Sequence, residues 1–168
     1  VVIDVKNLAV SYGDHLALTE VALEVRRGGV SVIVGGSGSG KTTLLKAIIG
    51  LAPISSGRIR LLDRELGKLT EAEGRALLQR IGVMFQGGAL LNSITVGENV
   101  ALPLEMHTSL KTDLVAEIAR TRLRLVGLED AADKLPAELS GGMRKRAALA
   151  RAMAMDPEIL FCDEPGAG

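Results

Sequence analysis

The chain has 168 residues, 47% hydrophobic and 2% aromatic, with 20 Lys+Arg against 20 Asp+Glu and a formal net charge of +0. That length holds one domain with a core of Val, Ile, Leu and Ala, and the balance supplies no basic excess to argue for a nucleic-acid partner, though it does not exclude a local patch. The single cysteine, Cys162, rules out an intrachain disulfide and suits a reducing compartment; no apolar run reaches the ~18 residues of a membrane span, and Val1-Val2-Ile3-Asp4 carries no signal-peptide pattern.

In chain order, Ile3, Val5, Leu8 and Val10 predict a strand over 1–11, and Tyr12-Gly13-Asp14 signals a turn. Val21, Leu23 and Val25 alternate with Ala22 and Glu24, a second, half-exposed strand. After Arg26-Arg27-Gly28-Gly29, the apolar run Val30-Ser31-Val32-Ile33-Val34 predicts a buried strand. It leads into Gly35-Gly36-Ser37-Gly38-Ser39-Gly40-Lys41-Thr42. Thr43-Leu44-Leu45-Lys46-Ala47-Ile48-Ile49 then predicts a helix ending at Gly50. The eight loop residues fit G-x-x-x-x-G-K-[ST], in the strand–loop–helix setting that a phosphate-binding loop needs. Its glycines take torsions that a Cβ forbids, so their N–H groups can turn inward onto phosphate oxygens. The helix start adds its positive dipole end. Lys41 can reach the β- and γ-phosphates, and the Thr42 hydroxyl can ligate Mg²⁺. A flexible Gly/Ser turn explains neither the apolar run before it nor the Lys-Thr pair after it. Tyr12, the only tyrosine, either stacks on a nucleobase or is an ordinary turn residue; its spacing from Lys41 does not decide between them.

Ser56-Gly57-Arg58-Ile59-Arg60-Leu61-Leu62 predicts a turn and strand, and Thr70-Glu71-Ala72-Glu73 a capping box for a short helix through about Gln79. Ile81-Gly82-Val83-Met84-Phe85 predicts a buried strand that delivers Gln86 to its carboxyl end, where ligands sit in open α/β sheets. Gln86 either completes a Mg²⁺ shell or orients water, or is a satisfied loop residue. Gly87 onward the chain turns mainly helical. Thr95-Val96-Gly97-Glu98 is a second capping box, and Pro103 is expected near the interruption or end of that helix. Lys111 to Val126 predicts a longer amphipathic helix, with Leu114, Ile118 and Leu125 near one face and Gly127 stopping it. Ser140, a good N-cap, opens a helix through about Met155. Gly141 and Gly142 let something approach its start, so the segment is either simple capping or a second anion site. Arg144, Lys145, Arg146 and Arg151 are expected on the surface, with Met143, Ala147 and Ala150 inward.

Asp156-Pro157 resets the chain. Ile159-Leu160-Phe161-Cys162 predicts a short buried strand, with Cys162 a buried apolar residue rather than a nucleophile. It ends in Asp163-Glu164. Adjacent strand-end side chains project to opposite sides, so Asp163 can serve Mg²⁺ and Glu164 an attacking water. A buried unpaired acidic pair would be costly as structure alone.

Four elements now stand in order: the loop 35–42, Gln86, Leu139-Ser140-Gly141-Gly142, and an apolar strand ending Asp163-Glu164. Together they resemble the nucleotide-binding domain of an ABC transporter, over essentially all 168 residues. The resemblance implies an α/β P-loop NTPase with a RecA-like core and an antiparallel β-subdomain, interrupted by a helical subdomain. Residues 1–168 would form one such domain, 1–86 and 156–168 the core with the β-subdomain, 87–155 the helical part. It implies ATP and Mg²⁺. Gly35, Gly36, Ser37, Gly38, Ser39, Gly40, Lys41, Thr42 and Thr43 would bind the phosphates and Tyr12 the adenine. Thr42, Gln86 and Asp163 would serve the metal, and Glu164 would be the general base, with Lys41 and Gln86 beside it in catalysis. It implies a head-to-tail dimer in which Ser140, Gly141 and Gly142 cap the partner's nucleotide, and transmembrane permease subunits, with the protein cytoplasmic and peripheral on the inner face of the cell membrane. Met143 departs from the pattern, standing where glutamine is usual. Neither His15 nor His107 lies at the family's switch position. With no initiating Met and a last residue at Gly168, the chain reads as C-terminally truncated, before the family's D-loop. It is then expected to bind nucleotide better than it hydrolyses it.

A finer resemblance rests on Phe85-Gln86-Gly87-Gly88-Ala89-Leu90-Leu91 with Leu139-Ser140-Gly141-Gly142-Met143. These look like the ATPases of MCE-type phospholipid transporters, the Mla group, in which Met143 is characteristic. That adds a lipid-binding MCE component as partner. Rival expectations are a soluble ABC-type ATPase for DNA repair or translation, for which the coiled-coil insertions and tandem domains are missing, and a module that holds nucleotide without turnover.

Overall fold

Alternating apolar residues at the N-terminus close into an antiparallel sheet. The computed structural model describes residues 1–166; Ala167 and Gly168, the end of the expected core segment 156–168, lie outside the described residues. The chain forms two units, Val1–Leu78 and Gln79–Gly168.

In the first unit, β1 (Ile3–Tyr12), β2 (His15–Val25), β3 (Ser56–Leu61) and β4 (Arg64–Glu65) form one sheet in the order β2-β1-β3-β4. β1 pairs antiparallel with β2 from Ile3↔Val25 to Tyr12↔His15, and with β3 from Ile3↔Leu61 to Ala9↔Ser56. Ile3 and Val5 are buried, and so are Leu8 and Val10. The phase slips by one residue between the two pairs. A register shift between Val5 and Leu8, with Asn7 at φ 48, makes that slip. Without it, Leu8 and Val10 would turn to the opposite face. Gly57 answers the bulge: a Cβ there would lie 2.3 Å from the Asn7 carbonyl oxygen. Helices α1 (Lys41–Ile48) and α2 (Glu71–Leu78) complete the unit. Thr70 and Glu73 make the predicted capping box, Glu73 N–H donating to Thr70 Oγ1 at 3.3 Å and Thr70 N–H to Glu73 Oε2 at 3.0 Å.

One expectation fails here. Residues 30–34 form no strand, and Val30, Val32 and Val34 are 94%, 77% and 89% exposed. A strand buried on both faces needs a ladder. The sheet of this unit is made of β1, β2, β3 and β4 alone, and the apolar run pairs with none of them.

In the second unit, β5 (Ile81–Met84) and β6 (Ile159–Cys162) pair in parallel, from Ile81↔Ile159 to Met84↔Cys162. Helices α3 (Val96–His107), α4 (Thr112–Leu125) and α5 (Gly141–Ala152) share a buried cluster that includes Val96, Val100, Leu104, Val115, Ala119, Leu123, Ala147 and Ala150. Each large aliphatic member contributes about 1.5–3 kcal/mol of burial. α3 opens on the predicted capping box, Thr95 with Glu98. Pro103 does not end it. The helix runs on to His107, because a proline deletes one N–H donor while Val100 and Leu104 stay anchored on either side. The buried face of α4 is Val115, Ala119 and Leu123; of the expected face only Ile118 packs, half-buried, against that cluster, and Leu114 and Leu125 are exposed. At Gly82 a Cβ would lie 2.1 Å from the Ala152 carbonyl oxygen, so β5 meets the end of α5 main chain to main chain.

Candidate functional site

The glycine-rich loop ends in α1, whose N-cap is Gly40 at φ 89. Glycine carries no side-chain acceptor, so no side chain caps this helix, and no acidic residue stands in its first turn. A helix start of that kind offers its N–H groups to an anion. Leu44 N–H makes the first ladder bond, to Gly40 O at 2.8 Å. Lys41 arches back over the loop, its Nζ donating to Gly35 O at 2.7 Å and to Gly36 O at 2.8 Å. Ser39 Oγ lies 3.5 Å from the same ammonium. The glycines divide by role. A Cβ on Gly35 would meet Ser39 Oγ at 2.6 Å, and one on Gly40 would meet Leu18 Cδ2 at 2.5 Å. Around Gly36 and Gly38 there is open space. The exposed stretch Gly36-Ser37-Gly38-Ser39 is thus an open rim beside an ammonium and an uncapped helix start, a setting that suits phosphate. Thr42 and Thr43 follow in the first turn, half-buried. Tyr12 is 46% exposed and closes the hairpin, paired with His15, whose Leu18 abuts Gly40.

The second unit places the acidic pair. β5 and β6 end side by side, and Asp163 N–H continues their ladder onto Met84 O at 2.9 Å. Gln86 and Glu164 therefore leave the sheet at one edge, and Gln86 Nε2 donates to Glu164 Oε2 at 2.6 Å. Asp163 is buried, 7% exposed. Glu164 sits at φ 51, a left-handed conformation that costs a non-glycine residue on the order of 1–3 kcal/mol. Sequence periodicity gives no warning of this strain, which turns the Glu164 carboxylate toward Gln86. Cys162, expected buried, is exposed, as is Leu160 at 39%; β6 has one ladder neighbour and alternates burial along its length. Partial burial of its sulfur pushes the Cys162 thiol pKa up, away from a reactive thiolate.

No group of three His, Cys, Asp or Glu among the described residues could hold a metal by itself. Mg²⁺ does not require one, since it is commonly held by one or two protein groups plus phosphate oxygens and water. In this unit the Asp163 carboxylate and the Gln86 amide oxygen, left over when Nε2 donates to Glu164, are hard-oxygen donors of the right kind.

Ser140 caps α5 as expected, its Oγ accepting from Met143 N–H at 3.2 Å. A Cβ on Gly141 or Gly142 would meet nothing within 4 Å, so the helix start is open. Arg144 and Arg146 are exposed as expected and Arg151 is half-buried, but none of the three is idle. Arg144 Nη1 donates to Leu139 O at 3.2 Å, Arg146 Nη1 to Val126 O at 2.9 Å, and Arg151 to the carbonyls of Gly88 and Ala89. Their partners are main-chain carbonyls, which carry no residue identity, so no sequence pattern announces them. Asn99, fully buried, was likewise missed. Its side chain exchanges hydrogen bonds with Leu91 and donates to Thr95 O.

A family model described as ABC transporter matches residues 18–167. The intermembrane phospholipid transport system ATP-binding protein MlaF of Haemophilus influenzae is 43% identical over 166 residues, 99% of this chain and 63% of that protein. The probable ribonucleotide transport ATP-binding protein mkl of Mycobacterium leprae is 42% identical over 100% of this chain and 48% of its own length. This chain thus spans about half to three-fifths of these relatives. Among solved structures, the ATP-binding cassette MJ0796 in a dimeric post-hydrolysis state bound to ADP and Pi superposes with a TM-score of 0.90 at 32% identity, over 98% of this chain and 74% of that one. The fold is thereby that of an α/β P-loop NTPase cassette.

Proposed function

The chain belongs to the ABC transporter family, and we propose that it is the ATP-binding and ATP-hydrolysing part of a subunit that drives a membrane permease. Gly35, Gly36, Ser37, Gly38, Ser39, Gly40, Lys41, Thr42 and Thr43 hold the triphosphate, and Tyr12 stacks on adenine. Asp163, Gln86 and Thr42 hold Mg²⁺, which when bound neutralises charge on the phosphate oxygens. Glu164 takes the proton of the attacking water, and Gln86 orients its carboxylate. Catalysis of this kind is mostly positioning and electrostatics. The observation that carries the reading is the Gln86–Glu164 hydrogen bond of 2.6 Å beside buried Asp163, an amide and two carboxylates gathered by two parallel strand ends. The test is Glu164→Gln in the purified protein. Nucleotide binding persists and turnover falls by about 10²–10⁴-fold, the usual contribution of a general base. Turnover at the unsubstituted rate removes Glu164 from this role, and absence of turnover in the unsubstituted protein favours a nucleotide-holding module.

Residues 87–155 serve in this reading as the helical subdomain, flanked by core segments 1–86 and 156–168. Two subunits pair head to tail, and Ser140, Gly141 and Gly142 of one meet the nucleotide of the other. The likeness to a dimeric cassette supports this arrangement. The protein lies on the cytoplasmic inner face of a cell membrane through its permease; no helix of the described residues is long and apolar enough to cross a membrane by itself. For cargo, the likeness to MlaF and the Met143 departure support MCE-type phospholipid transport, with a lipid-binding component in the complex. The relative named for ribonucleotide transport matches almost equally. Co-purification of the membrane partner decides: an MCE component supports the lipid reading, and its absence from an intact complex removes it.

A further inference from the structure

The turn that follows Gln86 is gripped by α5. Arg151 Nη1 donates to Ala89 O at 2.8 Å and Nη2 to Gly88 O at 2.9 Å, so one planar fork holds two successive carbonyls. The turn needs holding. Gly88 is at φ 71 and Ala89 at φ 47, and two left-handed residues in a row, one with a side chain, do not persist without support. Gly88 N–H closes the turn onto Phe85 O at 2.8 Å. A Cβ on Gly88 would lie 3.3 Å from Ala148 Cβ, so the turn rests directly on α5. Beyond it, Asn99 fixes Leu91. Burial pushes the Arg151 pKa below its ordinary value, but an arginine stays charged at neutral pH. The helix that begins at Ser140 is thus joined, through Arg151 and residues 88–89, to the amide that touches Glu164.

We propose that Arg151 is a positioning residue for ATP hydrolysis: it fixes the Gly88-Ala89 turn to α5, sets Gln86 against Glu164, and makes a displacement of α5 displace that amide. The proposal rests on the ATPase reading above. A residue that only stabilised the fold would weaken the enzyme whether or not Gln86 were present. A residue that acts through Gln86 has nothing left to act on once that amide is gone.

The test is a double-mutant cycle on the purified protein with Arg151→Met, Gln86→Ala and the pair. Arg151→Met is expected to lower kcat roughly 10- to 100-fold, as loss of a supporting partner does, with KM for ATP changed less than about threefold. In the Gln86→Ala background the same change should cost less than about twofold. Unchanged kcat in the single variant, or an equal loss in both backgrounds, overturns the proposal. Arg151→Lys, which offers one ammonium in place of a two-pronged fork, should recover part of the loss. Where Arg151→Met does not fold, Arg151→Lys carries the cycle under the same criterion. If the unsubstituted protein binds ATP without turning it over, the ATPase reading fails separately, and the cycle is read on the Mg²⁺ concentration that half-saturates nucleotide binding. A non-additive shift there supports Arg151 acting through Gln86; an additive shift or none overturns it.

Discussion

α1 and α5 both begin at glycines, and their first turns are finished differently. Gly40 heads α1 without a side-chain acceptor, while Ser140 heads α5 and takes the Met143 N–H on its hydroxyl. The glycines differ as well. Gly40 is hemmed in by Leu18, whereas Gly141 and Gly142 face open space. A helix start that gives its donors to a ligand is left uncapped, and its shape is then imposed from outside, by β2 and by the Lys41 ammonium on the loop carbonyls. A helix start that keeps its shape alone carries its own hydroxyl, and its glycines serve access rather than geometry. In that comparison the α1 start leaves its donors uncapped and the α5 start caps its own and stands open, which is what the proposed roles of the two require.

The largest expected effect that sharpens this contrast is Lys41→Ala. It removes charged hydrogen bonds to the loop and to phosphate, so ATP affinity should fall roughly 10- to 100-fold. Undiminished affinity in a calorimetric titration would break the assignment of the α1 end. Gly40→Ala comes next. The added methyl meets Leu18 Cδ2 at a torsion of φ 89, and stability should drop by about 1–3 kcal/mol in urea unfolding. A midpoint equal to that of the unsubstituted protein would show that β2 does not impose the turn. Ser140→Ala is the smallest, about 1 kcal/mol from loss of a cap. An unmoved urea midpoint would show that the hydroxyl does not hold the α5 start.

The positions of the proposed site residues in the fold were legible because each is tied to a local pattern. Lys41 and Thr42 follow fixed glycines, and Gln86 and Asp163-Glu164 follow apolar runs that do form parallel strands. Both capping boxes and the Ser140 cap were equally readable, since a cap is a contact three residues long. What escaped depends on partners distant in sequence. Residues 30–34 have the composition of a buried strand, but composition does not supply a ladder. The inward face of α4 was misjudged because Leu114 and Leu125 outweigh Ala119 by hydrophobicity, whereas packing against α3 and α5 selects the Val115, Ala119 and Leu123 stripe. Arg151 read as a surface cation because its partners are carbonyls some sixty positions away. The left-handed Glu164 leaves no trace in its residue type.

The contact at Gly82 has a bearing on how this sequence can drift. Its missing side chain sets the spacing between the strand that leads to Gln86 and the helix that carries Arg151, and even a methyl would strike the Ala152 oxygen. An exchange of one aliphatic for another at half-buried Val83 meets no such main-chain barrier. Position 82 has no second option, so a saturation library would leave it monomorphic among tolerant neighbours.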